Sequence, residues 1–237
     1  MELRLAAAHV IVDPDQLDAD DGPSLEPGDA HHLARVLRLH HGEVITATDG
    51  VGRWRPYRWR GADHRPAPDG PITVEPAPEP AITVGFTPVK GDRPEWTVAK
   101  LTELGVDRIV PLRTERSVVR WDGDRGVQAV QRLRRIVRES VMQSRRCHVP
   151  RVSEVLAPDA LPDAALAHFD GGPLSLRPPA VLIGPEGGWS EAELAAPRPH
   201  VTLGPFVLRA ETAAVAAAAL LATLRSGGAI TLRGHFE

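Results

Sequence analysis

Two short loops hold the residue types best placed to do chemistry. Residues 181–189 read VLIGPEGGW, a continuous apolar run that breaks into a glycine-rich turn. Glycine lets backbone N–H groups come close to a ligand, and open α/β sheets bind small molecules where their strands end. Residues 203–209, LGPFVLR, have the same design and lead into an alanine-rich stretch. Two such loops either close on one ligand or are tight turns needed only for packing. Neither fits GxGxxG or a Walker A sequence, which disfavours a pyrophosphate-cradling nicotinamide or nucleoside triphosphate site.

Cations form the second group. Residues 53–60, RWRPYRWR, interleave arginines with Trp54, Tyr57 and Trp59. That composition suits single-stranded RNA, although a barrel strand with its aromatics in the core alternates in the same way. Arg132, Arg134, Arg135, Arg138, Arg145, Arg146 and Arg151 stand against a single nearby acid, Glu139. Such clustering signals either nucleic acid or a solvated helix face. Arg35 and Arg38 lie three apart in a predicted helix, where both can grip a phosphate backbone. The pairs His31-His32 and His40-His41 lack cysteine or carboxylate partners at ligand spacing, so they read as surface histidines and no metal is expected. Cys147 is the only cysteine, which excludes an internal disulfide and a multi-thiolate metal site. His148 beside it makes a poor nucleophilic dyad, because adjacent side chains rarely face each other.

These groups must be positioned by a chain of 237 residues that is 42% hydrophobic and 25% charged, enough apolar material for a core. The net charge of −3 hides an asymmetry. Residues 1–80 carry eight basic against fourteen acidic side chains, whereas residues 81–237 carry twenty against seventeen. Between them lies a proline-rich seam, RPAPDGPITVEPAPEP at residues 65–80, which puts a domain boundary near residue 78. Before the seam, short β-like runs at 8–12, 43–48, 52–59 and 72–74, with an Asp49-Gly50 hairpin turn, predict a small β-rich domain. One helix is predicted there at 30–39, capped by Asp29, with Leu33, Val36 and Leu37 on one face. After the seam, strands at 81–87, 108–112, 165–169, 180–183 and 200–203 alternate with helices at 94–104, 126–145, 190–195 and 211–224. That alternation predicts an α/β domain with a mainly parallel sheet. Gly105 is a fitting helix stop, and Ser190 with Glu193 forms a capping box. The longest apolar stretch, 213–224, is too short for a bilayer, where about 20 residues are needed. With no secretion signal at the start, a cytoplasmic protein is expected.

Taken together, LIGPEGGWSEAEL, LGPFVLRAETAAVAA, KGDRPEWTVAKLTELGV, PLRTERSVV, RRIVRESVMQSRRCHVP and HHLARVLRL resemble, in order over residues 31–221, the signatures of the ribosomal RNA small subunit methyltransferase E (RsmE) family. The resemblance implies an S-adenosyl-L-methionine-dependent enzyme of the SPOUT class. A PUA-like β-barrel RNA-recognition domain, residues 1–78, would precede a SPOUT α/β methyltransferase domain, residues 79–237, with a C-terminal trefoil knot. The implied enzyme is a homodimer that methylates N3 of a uridine in the decoding region of 16S rRNA, within the small ribosomal subunit. Alternatives are another RNA position, a ribose hydroxyl included, or a non-catalytic RNA-binding assembly factor; intact GPEGG and LRAET sequences speak against the last.

The resemblance also distributes roles. Ile183, Gly184, Pro185, Glu186, Gly187 and Gly188, with Leu203, Gly204, Val207 and Leu208, would hold the cofactor. Arg209 would stabilise the uracil anion, unless it is spent on an ion pair with Glu211. Glu211 would help to deprotonate the base or orient Arg209, and Thr212 would cap the helix or touch substrate. Lys90, Arg93, Arg116 and Arg146 would line the RNA cleft, with surface ion pairs as the rival reading. Met142 stands where the family usually has glutamate, and Arg145 where it often has glycine.

Overall fold

A computed structural model describes residues 3–62 and 64–228. The chain divides into two compact units, Met1–Ala77 with Arg138–Val149, and Pro78–Val137 with Pro150–Glu237.

In the first unit β1 (Ala8–Ile11) runs parallel to β2 (Val44–Thr48), and β2 pairs antiparallel with β3 (Arg53–Arg58). The β2–β3 hairpin turns where Asp49 Oδ1 accepts the N–H groups of Val51 and Arg53, at 2.9 and 3.1 Å. Short strands β4 (Ala67–Pro68) and β5 (Thr73–Val74) both add to β3. Inward residues Val10, Ile45, Ala47, Tyr57 and Trp59 meet Leu17 of α1 (Pro14–Leu17) and Leu33 to make the core. Among the described residues the sheet is an open path of strands with β1 and β4 at its ends, not the closed barrel expected; β4 has two residues and pairs only with β3.

The expected helix at 30–39 is displaced towards the N-terminus. It begins as α2 (Pro27–His31), with Pro27 in its first turn, and widens into a π-helical turn over His32–Val36. Asp29 is therefore inside the helix and not its cap. Its buried carboxylate takes both arms of Arg138, at 2.7 and 3.1 Å. The wider turn leaves Leu33 in the core but rotates Val36 and Leu37 outward to solvent.

The second unit is built on a six-stranded parallel sheet. Its strands are β6 (Thr83–Phe86), β7 (Arg108–Pro111), β8 (Arg151–Val152), β9 (Ala165–Pro173), β10 (Ala180–Ile183) and β11 (His200–Thr202), in the order β11-β9-β10-β6-β7-β8. The chain grows to one side of β6 and then returns to its other side. Such reversals open crevices at the carboxyl ends of strands. Helices α3 (Arg93–Glu103), α4 (Gly123–Ser144), α5 (Glu191–Ala195) and α6 (Ala210–Arg225) connect or follow the strands. α4 buries Ala129, Val130, Leu133, Val137 and Val141 at helical spacing, and from Arg138 onward it is counted with the first unit. α6 buries Ala213, Ala214, Ala217, Ala218 and Leu221; the small alanines let it lie close to β6, β10 and α3. No helix among the described residues is long and apolar enough to cross a membrane.

Candidate active site

The carboxyl ends of β10 and β11 and the middle of β9 open into a cleft of about 640 Å³. One wall is the loop after β10. A Cβ on Gly184 would come within 2.9 Å of the Trp189 ring, so glycine is needed for that close approach. Trp189 in turn donates its indole N–H to Ala167 O at 3.0 Å and fastens the loop to β9. The loop then enters α5 through the expected capping box: Ser190 Oγ accepts from Glu193 N, and Glu193 Oε2 accepts from Ser190 N. The facing wall is the loop after β11, where Gly204 has φ of +147° and nothing within 4 Å of a built Cβ. Of the residues assigned to a cofactor, Ile183, Gly184, Pro185, Glu186, Gly188, Leu203, Gly204, Val207 and Leu208 line this cleft. Gly187 does not; its carbonyl accepts from Arg116 Nη1 at 3.2 Å.

Arg209 is the residue before α6 and lines the cleft with an exposed side chain. Among the described residues it makes no side-chain hydrogen bond or ion pair, so the pairing with Glu211 is not formed. Glu211 does not line the cleft. Its side chain is 13% exposed, with Oε1 3.4 Å from Arg93 Nη1 and Oε2 buried without a hydrogen-bond partner. Arg93 also lies 3.8 Å from Glu186 Oε1, which makes the ion-pair reading of Arg93 the observed one. Arg116 lines the cleft, whereas Lys90 is exposed outside its lining. Arg35, Arg38 and Arg146 belong to the first unit; the first two are exposed, and the Arg146 carbonyl bonds the His9 ring at 3.1 Å.

Two basic signals change meaning in three dimensions. In β3 the aromatics Trp54 and Tyr57, and Trp59 just after it, are all buried and offer no stacking face. Arg53 pairs with Asp18 at 2.6 Å, Arg55 donates to Gly70 O at 2.8 Å, and Arg58 pairs with Asp69 at 2.9 Å. Part of the arginine cluster is likewise absorbed: Arg132 pairs with Glu95 and Arg134 with Glu154, each at 2.6 Å, and Arg138 with Asp29, while Arg135 and Arg151 are exposed. Arg145 occupies a left-handed φ of +57°, a conformation that favours glycine, and donates to Ala6 O at 2.6 Å. Burial pushes the Cys147 thiol up to about 12, so it stays protonated and unreactive. Burial also lowers His9 to about 4, keeping it neutral.

Sequence reading missed the third wall. Ala167, His168 and Phe169, just past the β9 residues that pair with β10, line the cleft, as does Phe206; Phe169 and Phe206 are 77% and 81% exposed. The available signal was the end of a parallel strand adjacent to β10, where ligands collect.

Comparison with known proteins gives this geometry a family. An RNA methyltransferase domain matches residues 76–222. Ribosomal RNA small subunit methyltransferase E from Mycobacterium bovis is 31% identical, with 89% of this chain and 86% of that protein covered. The chain belongs to the ribosomal RNA small subunit methyltransferase E family. An RNA methyltransferase PUA domain matches residues 25–62 in the first unit. A crystal structure of the family's Neisseria gonorrhoeae member bound to S-adenosyl methionine superposes with a TM-score of 0.73 at 29% identity, covering 92% of this chain and 97% of that one. A Legionella pneumophila methyltransferase in complex with the bound cofactor SAM gives 0.76 at 25% identity, covering 93% and 97%. Family membership thus accounts for the α/β fold of the second unit and identifies the first as a PUA domain.

Proposed function

We propose that this chain transfers a methyl group from S-adenosylmethionine to N3 of a uridine in the decoding region of 16S rRNA. The observation that carries the reading is the cleft beside β9 and after β10 and β11, which joins two glycine-bearing loops to an arginine with no counter-ion among the described residues. Its volume is that of a site for a cofactor-sized molecule. Ile183, Leu203, Val207 and Leu208 supply apolar contact for a flat base, and the backbone of Gly184, Glu186 and residues 206–208 supplies hydrogen-bonding groups. The open side of Gly204 leaves room for that approach. When bound, S-adenosylmethionine supplies an electrophilic methyl group on a sulfonium centre.

The remaining chemistry belongs to the chain. N3 of uracil carries a proton, so the nucleophile is the anion left when that proton departs. Arg209 stabilises the negative charge that then spreads onto the uracil oxygens. Its position before the first turn of the 16-residue α6 adds the positive end of the helix dipole. Lys90 and Arg116 in the second unit, and Arg35 and Arg38 in the first, serve phosphates. Arg93 is spent on carboxylates and Glu211 on Arg93. The reading includes recognition by residues 1–78, catalysis by residues 79–237, a trefoil knot in the second unit, a homodimer in the cytoplasm, and the small ribosomal subunit as substrate. Mass spectrometry of 16S rRNA from cells with and without the gene tests it. Loss of N3-methyluridine is expected; an unchanged level refutes the assigned position.

A further inference from the structure

We propose that Arg93 is a positioning residue that straps the loop after β10 to the first turn of α6 and so sets the spacing of the two cleft loops. The inference rests on the reading of that cleft as the S-adenosylmethionine site. Arg93 opens α3, and its Nη1 reaches Glu186 Oε1 at 3.8 Å and Glu211 Oε1 at 3.4 Å. Three elements therefore meet at one guanidinium: α3, a cleft loop and the helix that begins just after Arg209.

The two contacts differ in weight. Glu186 is 62% exposed, so that pair is screened by water and weak. Glu211 is largely buried, its second oxygen has no partner, and Arg93 is its counter-charge. Without Arg93 this carboxylate must take up a proton or move, because an unpaired buried charge is costly. Either response disturbs the first turn of α6 and the loop that leads into it. The base of the strap is firm. Val98 and Leu101 of α3 are fully buried, Thr97 Oγ1 donates to Arg93 O at 2.8 Å, and Glu95 is held by Arg132 at 2.6 Å. A guanidinium shared by two carboxylates also has little net charge left for a phosphate, which separates this role from the RNA contact expected of the KGDR segment.

Calorimetric titration of the full-length protein with S-adenosylmethionine tests the strap. Arg93→Gln is expected to weaken cofactor binding by about tenfold, a value below that of a fully buried pair because Arg93 is 44% exposed. Arg93→Lys, which keeps the charge, stays within about threefold of the parent, on the scale of partly exposed pairs. Combining Arg93→Gln with Glu211→Gln removes the stranded charge and recovers most of the lost affinity. The salt dependence of RNA binding is unchanged in Arg93→Gln. Cofactor affinity equal to the parent in Arg93→Gln overturns the strap, as does a double variant no better than the single one. A fall of about one in the salt slope with cofactor affinity intact makes Arg93 a phosphate contact instead. If the parent itself fails to bind S-adenosylmethionine, the functional reading falls. The strap is then read from thermal unfolding of the same variants, where additive effects of Arg93→Gln and Glu211→Gln overturn it.

Discussion

Strand β3 of the first unit and the loops after β10 and β11 of the second both carry residues suited to a ligand, yet only the loops leave them accessible. In β3, β2 pairs with one edge while β4 and β5 take up parts of the other, Trp54 and Tyr57 are buried on opposite faces, and carboxylates or carbonyls occupy Arg53, Arg55 and Arg58. In the loops the chain has just left a parallel strand, so its backbone has no ladder to join. Arg209 has no counter-ion among the described residues because Arg93 already holds Glu211. Residue type alone does not distinguish the two regions. What separates them is whether neighbouring groups have already consumed the bonding capacity.

Truncations in the two regions should therefore fail differently. Trp59→Ala, at a fully buried site, should cost about 3–5 kcal/mol of stability in the first unit. A thermal melt checks this; unchanged stability with weaker RNA binding would return the strand to a binding role. Arg209→Ala should leave cofactor affinity intact while methyl transfer falls by about 10²-fold or more. Single-turnover rates measure it, and parent-like rates would remove Arg209 from the mechanism. His9 gives the first unit a pH signature. Its folded pKa of about 4 lies below the ordinary 6.5, so the unfolded chain takes up the proton first. Stability is full above about pH 6.5 and is lost as pH falls towards 4, by about 2 kcal/mol at pH 5. Urea melts at pH 7 and pH 5 should show that loss, and His9→Asn should flatten it. The smallest effect belongs to the exposed Arg58–Asp69 pair of β3: Arg58→Gln should cost no more than about 1 kcal/mol. A much larger loss in urea melts would show that the surface cations of β3 stabilise the unit.

Local patterns were the legible part of this chain. Five of the six strands of the parallel sheet, the Ser190 capping box, the Gly105 helix stop and both cleft loops follow from apolar runs, glycines and caps that act over a few residues, whereas the two-residue β8 was not foreseen. Pairing across the chain was not legible. Asp29 looks like a helix cap until Arg138, 109 residues away, claims it, and Arg93 looks like a phosphate ligand until Glu186 and Glu211 are beside it. The wall formed by His168 and Phe169 was missed for the same reason, since β9 acquires its meaning only from lying next to β10. The left-handed φ of Arg145 is one that favours glycine, so it gives a physical reason for the glycine that the resemblance leads one to expect there, not for the arginine.

The most direct measurement is a calorimetric titration of the full chain with S-adenosylmethionine, repeated on Gly204→Val. A side chain at Gly204 would point into open cleft space from a backbone conformation that suits glycine. A single saturable site in the parent, lost or strongly weakened in the variant, is the predicted result. No heat of binding at millimolar cofactor, or equal affinity in both proteins, would contradict the assignment of this cleft.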